Sequence, residues 1–236
     1  MHGAKKSLEP RRINENRILQ RDFNKIDRTD FGAKLIESDD FKVDYSLGNN
    51  RFLRIRLLHP DKAEHICGAD LIYEQHNEET GKIRVMFLQY KIWDDGILYF
   101  SAVNNLEAQL NKMNEFICGN KICESRKLKE GEKDYRFPYC SAFLRPTDKL
   151  QQQNEKIISS GIHIPVCSII EMIKNGEKKI DKRYIRHQAL TQKIFEYLFN
   201  KNLLGSNWIG EDQLEKFYKE NGLLSTDDSI KYTHGK

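Results

Sequence analysis

Apolar and polar residues alternate along RFLRIRLL, so that Leu53, Ile55 and Leu57 face one way and Phe52, Arg54 and Arg56 the other. A period of two is the signature of a strand with one buried face. Asn49-Asn50 marks a turn before it, and His59-Pro60 ends it. A second strand is predicted from Ala69 to Glu74, after a turn at Gly68, and the polar run Gln75 to Lys82 has the composition of a hairpin connection. The third, IRVMFLQYKI, is apolar on both faces, with Ile83, Val85 and Phe87 on one and Met86, Leu88 and Ile92 on the other. That pattern belongs to a central strand covered on both sides.

Spacings of three and four recur at Leu106, Leu110, Met113 and Ile117, which predicts a helix over Asn104 to Ile117 that breaks at Gly119. FGAKLIESDDF, from Phe31 to Phe41, reads as an amphipathic helix ahead of the first strand, with Leu35 and Ile36 inward and Glu37 beside them. YRFPYCSAFL is a further strand, with Pro138 at an edge or bend. The last third is mainly helical in pattern: Asp148 to Ser159, the apolar run IPVCSIIEMI, Gln188 to Asn200 and Glu211 to Glu220, with LLGSNWIG as a connection. The expected fold is α/β, a central mixed sheet flanked by helices. It divides into a basic N-terminal arm (1–30), a core (31–147) and a mainly helical C-terminal extension (148–236) that packs on the core. The polar stretch around Lys174 to Lys182 is the linker candidate.

Composition narrows the class. The apolar fraction is 39%, mean hydropathy is -0.70, and no run approaches the roughly 18 apolar residues of a membrane span. The basic start has no apolar segment behind it, as a secretory signal would, so a cytoplasmic location is expected. Net charge is only +4, but residues 1–28 carry eight Lys/Arg against four Asp/Glu, and residues 174–187 six against two. Both segments suit a phosphate backbone as well as they suit solvent. Five cysteines, an odd number, argue for reduced thiols. Cys118, Cys123, Cys140, His163 and Cys167 supply enough ligands for one structural zinc, although no doubled CxxC is present and small apolar cysteines are common in cores.

Polarity interrupts the pattern at one place. Gln89 and Lys91 share the parity of Ile83, Val85 and Phe87, so both leave one face at the end of the third strand. Asp70 opens the neighbouring strand, and in an antiparallel pair the start of one strand meets the end of the other. A carboxylate and an amide carbonyl are hard oxygen ligands suited to Mg²⁺ or Mn²⁺. Lys91 would orient a water or meet charge building on a phosphate. A second carboxylate is needed, and Glu64, six residues before Asp70, or Glu37 is the candidate. Glu74 has the parity of Asp70 but lies further along the strand. Each of these residues also has an ordinary role at a turn or a strand end. His59, His65 and His187 lack ligand spacing, Ser206 lies in a turn without GxSxG, and no P-loop or GxGxxG occurs.

Asp70 in GADL, eighteen intervening residues, Gln89-Tyr90-Lys91 closing an apolar strand, and a following helix with Glu107 and Gln109 together resemble the PD-(D/E)XK nuclease superfamily. The resemblance covers residues 31–145. It implies a restriction-endonuclease-like core of helix-strand-strand-strand-helix-strand order, with Asp70 as the metal-binding aspartate, Gln89 in the place of the usual Glu or Asp, and Lys91 as the lysine. A Mg²⁺- or Mn²⁺-dependent deoxyribonuclease is the expectation, with double-stranded DNA favoured as substrate. A homo-oligomer or a regulatory partner would control it, as in effector nucleases of bacterial anti-phage defence. Gln for Glu removes one negative charge. The alternative is therefore an inactive nuclease-fold subunit that binds nucleic acid or assembles with a partner NTPase.

Overall fold

Nine strands form one mixed sheet in the computed structural model of the chain, which describes residues 34–39, 41–58, 66–101, 105–123, 141–147 and 161–223. In chain order the strands are β1 (Lys34–Ser38), β2 (Lys42–Gly48), β3 (Arg51–Leu57), β4 (Leu71–Asn77), β5 (Lys82–Ile92), β6 (Ile97–Tyr99), β7 (Ala142–Thr147), β8 (Ile162–Pro165), β9 (Lys179–Asp181), β10 (Leu190–Thr191) and β11 (Ile209–Gly210). The helices are α1 (Leu106–Met113), α2 (Val166–Lys174), α3 (Gln192–Asn200) and α4 (Glu211–Glu220). The sheet runs β1-β2-β3-β4-β5-β7-β8-β10, β11 pairs with the first residues of β5, and β6 and β9 make a separate ribbon. Every pairing is antiparallel except β5 with β7. A parallel neighbour requires a crossover, and α1 lies in it.

Side-chain parity divides the core. Ile72 of β4 and Ile83, Val85 and Phe87 of β5 meet Leu106, Leu110 and Met113 of α1, Val166 and Ile169 of α2, and Leu214 and Tyr218 of α4. On the opposite face Leu53, Ile55, Leu71, Met86 and Leu88 meet Phe195, Leu198 and Phe199 of α3. Each fully buried Leu, Ile or Phe contributes about 1.5–3 kcal/mol. The sheet is thus covered on both sides, as the two-sided apolarity of β5 requires.

Several expectations are corrected. The helix expected over Phe31 to Phe41 is absent from its described residues: Lys34–Ser38 is an edge strand, all five residues exposed, paired to β2. Asp39 turns the chain by accepting the Phe41 and Lys42 amides at 2.8 and 2.6 Å, which offers the backbone a turn in place of a helix. Gln75 and His76 belong to β4 and not to the connection. Their polarity is buried by pairing, since Gln75 accepts from Arg84 at 2.9 Å and His76 stacks on Phe52 at 4.1 Å. The predicted helix over Asn104 to Ile117 is α1 followed by a wider π turn, Asn114–Gly119. The last third contains its helices, but β8, β10 and β11 also join the main sheet, and β9 occupies the linker candidate. Residues 1–30 and Asp148 to Ser159 lie outside the described residues. Among the described residues no helix is long and apolar enough to cross a membrane.

Candidate functional site

Gly68 sets the entry to the site. It has φ +72°, and a Cβ there would stand 2.4 Å from the Gln109 carbonyl oxygen, so the α1 backbone packs directly on the turn that opens β4. Two residues later Asp70 is pinned at its backbone, donating to the Leu88 carbonyl and accepting from the Leu58 amide, both at 2.8 Å. One carboxylate oxygen, Oδ2, accepts the Tyr90 amide at 2.7 Å and the Gln89 Nε2 at 2.9 Å. Gln89 Nε2 also donates to the Tyr90 carbonyl at 3.1 Å, which fixes the amide with its nitrogen towards Asp70. Its Oε1 is buried with no hydrogen-bond partner. Lys91 leaves the same face two residues on, and its carbonyl accepts from the Thr147 hydroxyl at 3.4 Å. Asp70 is 1% exposed, Gln89 0% and Lys91 7%.

Asp70 and Gln89 therefore touch where β4 begins beside β5, Lys91 shares their sheet face two residues further along β5, and Glu37 stays apart. It sits on β1, three strands from β4, or about 14 Å at ordinary strand spacing, and pairs with Lys42 at 3.6 Å. Glu64 lies outside the described residues. The donor set fits a hard cation in part: an orphaned buried carbonyl oxygen is costly unless something meets it, and Mg²⁺ takes one or two carboxylates and keeps water in its other positions. Among the described residues no three His, Cys, Asp or Glu stand close enough to hold a metal.

A second polar group on the same sheet face was not anticipated. Asp44, Arg54 and Glu74 are neighbours in register across β2, β3 and β4. Arg54 bonds both Asp44 oxygens at 2.9 and 2.7 Å, Arg56 Nε bonds Glu74 Oε1 at 2.7 Å, and His76 Nε2 lies 3.4 Å from Glu74 Oε2. Burial opposes the charge of Glu74, but Arg56 and His76 outweigh it and hold the carboxyl well below the usual carboxylate range. Burial also lowers the His76 pKa, against the pull of Glu74. Arg54 goes the other way: burial works against its charge, and the Asp44 carboxylate prevails and raises its pKa. The signal was present in the sequence as Arg54 and Arg56 on the outward parity of β3, opposite the parity-matched Glu74 of β4.

The remaining candidates separate. His163 stacks on Phe195 at 3.7 Å, on the opposite sheet face from the core on which Cys118, Cys123 and Cys167 pack, so it cannot join them at a zinc ion. Burial, with Arg145 adding to it, pushes its pKa well down. Cys140 lies outside the described residues, as do His59 and His65. Ser206 is a connector: its Oγ accepts the Val85 amide at 2.9 Å and donates to the Asn207 carbonyl at 2.7 Å. In the basic segment 174–187, Lys174, Lys178, Lys179 and Arg186 are exposed, while Arg183 pairs with Asp181 at 2.6 Å. No family model matches the chain, and no curated protein or solved structure matches it either.

Proposed function

We propose that the chain is a metal-dependent nuclease of restriction-endonuclease-like fold that hydrolyses phosphodiester bonds in DNA. The observation that carries the reading is the orphaned Gln89 Oε1 beside the Asp70 carboxylate. Gln89 lies on β5, and β3, β4, β5, α1 and β7 follow one another in the strand-strand-strand-helix-strand order that the PD-(D/E)XK resemblance implies, with the short strand β6 inserted between β5 and α1. Asp70 and Gln89 are the oxygens that would hold Mg²⁺ or Mn²⁺, and Glu64 is the remaining candidate for a second carboxylate. Bound there, the cation would polarise a phosphodiester and lower the pKa of an attacking water. The chain's own residues do the positioning. The Tyr90 amide fixes the carboxylate of Asp70, and Lys91 brings a positive donor to the face where charge builds on the phosphate oxygens. Exposed lysines of segment 174–187 meet the backbone of duplex DNA. Control by self-association or by a partner, and a place in anti-phage defence, follow from the same resemblance.

The test is incubation of plasmid, linear duplex and single-stranded DNA with the protein at low salt, in Mg²⁺, Mn²⁺ or chelator. Cleavage that needs metal and disappears in Asp70→Ala is expected. Equal cutting by the unmodified protein and Asp70→Ala refutes the assignment.

One observation favours the alternative of a binding or assembly subunit. Gln89 Nε2 donates to Asp70 Oδ2 inside a closed site, an internal partner standing where a cation would otherwise neutralise the carboxylate. Calorimetric titration with Mn²⁺ separates the two. Uptake that vanishes in Asp70→Ala supports the nuclease, and no uptake supports the subunit.

A further inference from the structure

We propose that Cys118 and Cys123 are a modification site, a dithiol that closes to a reversible disulfide when it meets a small disulfide oxidant of the glutathione-disulfide class. The inference does not rest on the nuclease reading.

The local fold brings the two residues together. After α1 the chain widens into the π turn Asn114–Gly119 and then reverses. Lys121 takes φ +61° and donates to the Cys118 carbonyl at 3.0 Å, and Ile122 donates to Ile117 at 2.9 Å. Asn120 Nδ2 holds the Phe116 carbonyl at 2.8 Å. These bonds return Cys123 onto Cys118 with the two sulfurs 2.9 Å apart. The sulfurs are about 0.9 Å from the roughly 2.05 Å of a disulfide bond.

The segment is also anchored. Ile117 is buried, and Phe116 packs against Phe87 at 5.9 Å and Phe217 at 5.0 Å, so bridging the sulfurs requires little movement of the chain. Both residues are partly exposed, whereas Cys67 is buried. A shared zinc is disfavoured by geometry: two thiolates about 2.3 Å from one tetrahedral ion stand about 3.8 Å apart. No group of three potential ligands occurs among the described residues either.

The exchange balances. One cysteine loses its proton to solvent, and its thiolate attacks a sulfur of the oxidant, forming a mixed disulfide and releasing one small thiolate. The second cysteine, also deprotonated, attacks the protein sulfur of that mixed disulfide, releasing the other small thiolate. The protein gives up two protons and two electrons, and the oxidant is reduced to two thiols.

The experiment equilibrates reduced full-length protein with graded glutathione and glutathione disulfide, quenches with acid, and reads intact mass and the unreduced peptide map. Loss of two hydrogens without a retained adduct, and a linked peptide joining Cys118 to Cys123, are expected. Cys118→Ser and Cys123→Ser each lose the linked peptide and retain one glutathione instead, while Cys167→Ser behaves as the unmodified protein. The map of the unmodified protein decides the matter even where a variant fails to fold. A bridge to Cys140 or Cys167, a persistent mixed disulfide, or one zinc per chain released only by chelator overturns the proposal.

Discussion

Two polar groups share one face of the sheet, one at Asp70 just before β4 and one four residues on at Glu74, and their bonding is opposite in kind. Around Glu74 the charges are met: Arg56 and His76 take its two oxygens, and Arg54 takes both of Asp44. Asp70 Oδ2 accepts from a backbone amide and a neutral side-chain amide, and the carbonyl of that amide is buried without a partner. A buried network whose charges are paired belongs to the architecture, because removing one member strands the others. A buried acceptor left open costs stability unless a ligand meets it, which is why the proposed site is placed there.

The sharpest way to break this comparison is Glu74→Ala. It leaves Arg56 and His76 facing a vacated carboxylate, so a loss of about 3–5 kcal/mol is expected in urea unfolding. A loss under ~1 kcal/mol would remove the network from the list of stabilising features. Lys91→Ala should do the reverse. On the proposed nuclease reading, cleavage should fall by about 10²–10³-fold, some 2.7–4 kcal/mol of barrier, with little change in the urea midpoint. If stability collapses together with activity, Lys91 is structural. Gly68→Ala bears on both groups through α1: its Cβ would sit 2.4 Å from the Gln109 carbonyl, at a φ that disfavours side chains. It should cost about 2 kcal/mol and blunt any metal uptake at Asp70, and an unaltered protein would show that α1 does not position the turn.

The smallest effect is on pH dependence. His76 and His163 have lowered pKa values in the folded protein, chiefly through burial. Between those values and about 6.5, the unfolded chain binds more protons than the native one, so stability falls as pH drops below about 6.5. Glu74 adds a later loss. Its folded pKa is depressed, so its contribution is complete above about 4.3 and fades as pH falls further. Urea midpoints at pH 7.5 and 5.5 measure the first part. His163→Phe keeps a ring against Phe195 and should flatten the slope, and an unchanged slope would clear His163 of the effect.

Among the strands, β3 and β5 were legible from local pattern because their side chains alternate against, or fill, a continuous core. The parity that places Gln89 and Lys91 on one face came from the same source. β1 was not legible: five exposed residues have no buried face, so nothing in their pattern distinguishes a paired edge from a helix. Gln75 and His76 were misread because polarity signals solvent only where no partner is buried with it, and their partners, Arg84 and Phe52, lie on other strands. The short strands β8, β10 and β11 depend on pairing with distant segments, which a local period does not record.

By itself the sequence determined an α/β chain with a two-faced central strand and a polar trio at its end, since those follow from the alternation of side chains along a pleated backbone. Only the tertiary structure decided which polar groups meet. It carried Glu37 to the far edge of the sheet, joined Glu74 to Arg56 and His76, turned the Gln89 amide onto Asp70, and folded Cys123 back on Cys118. Those pairings depend on strand order, register and tight turns, which bring together residues the chain keeps apart.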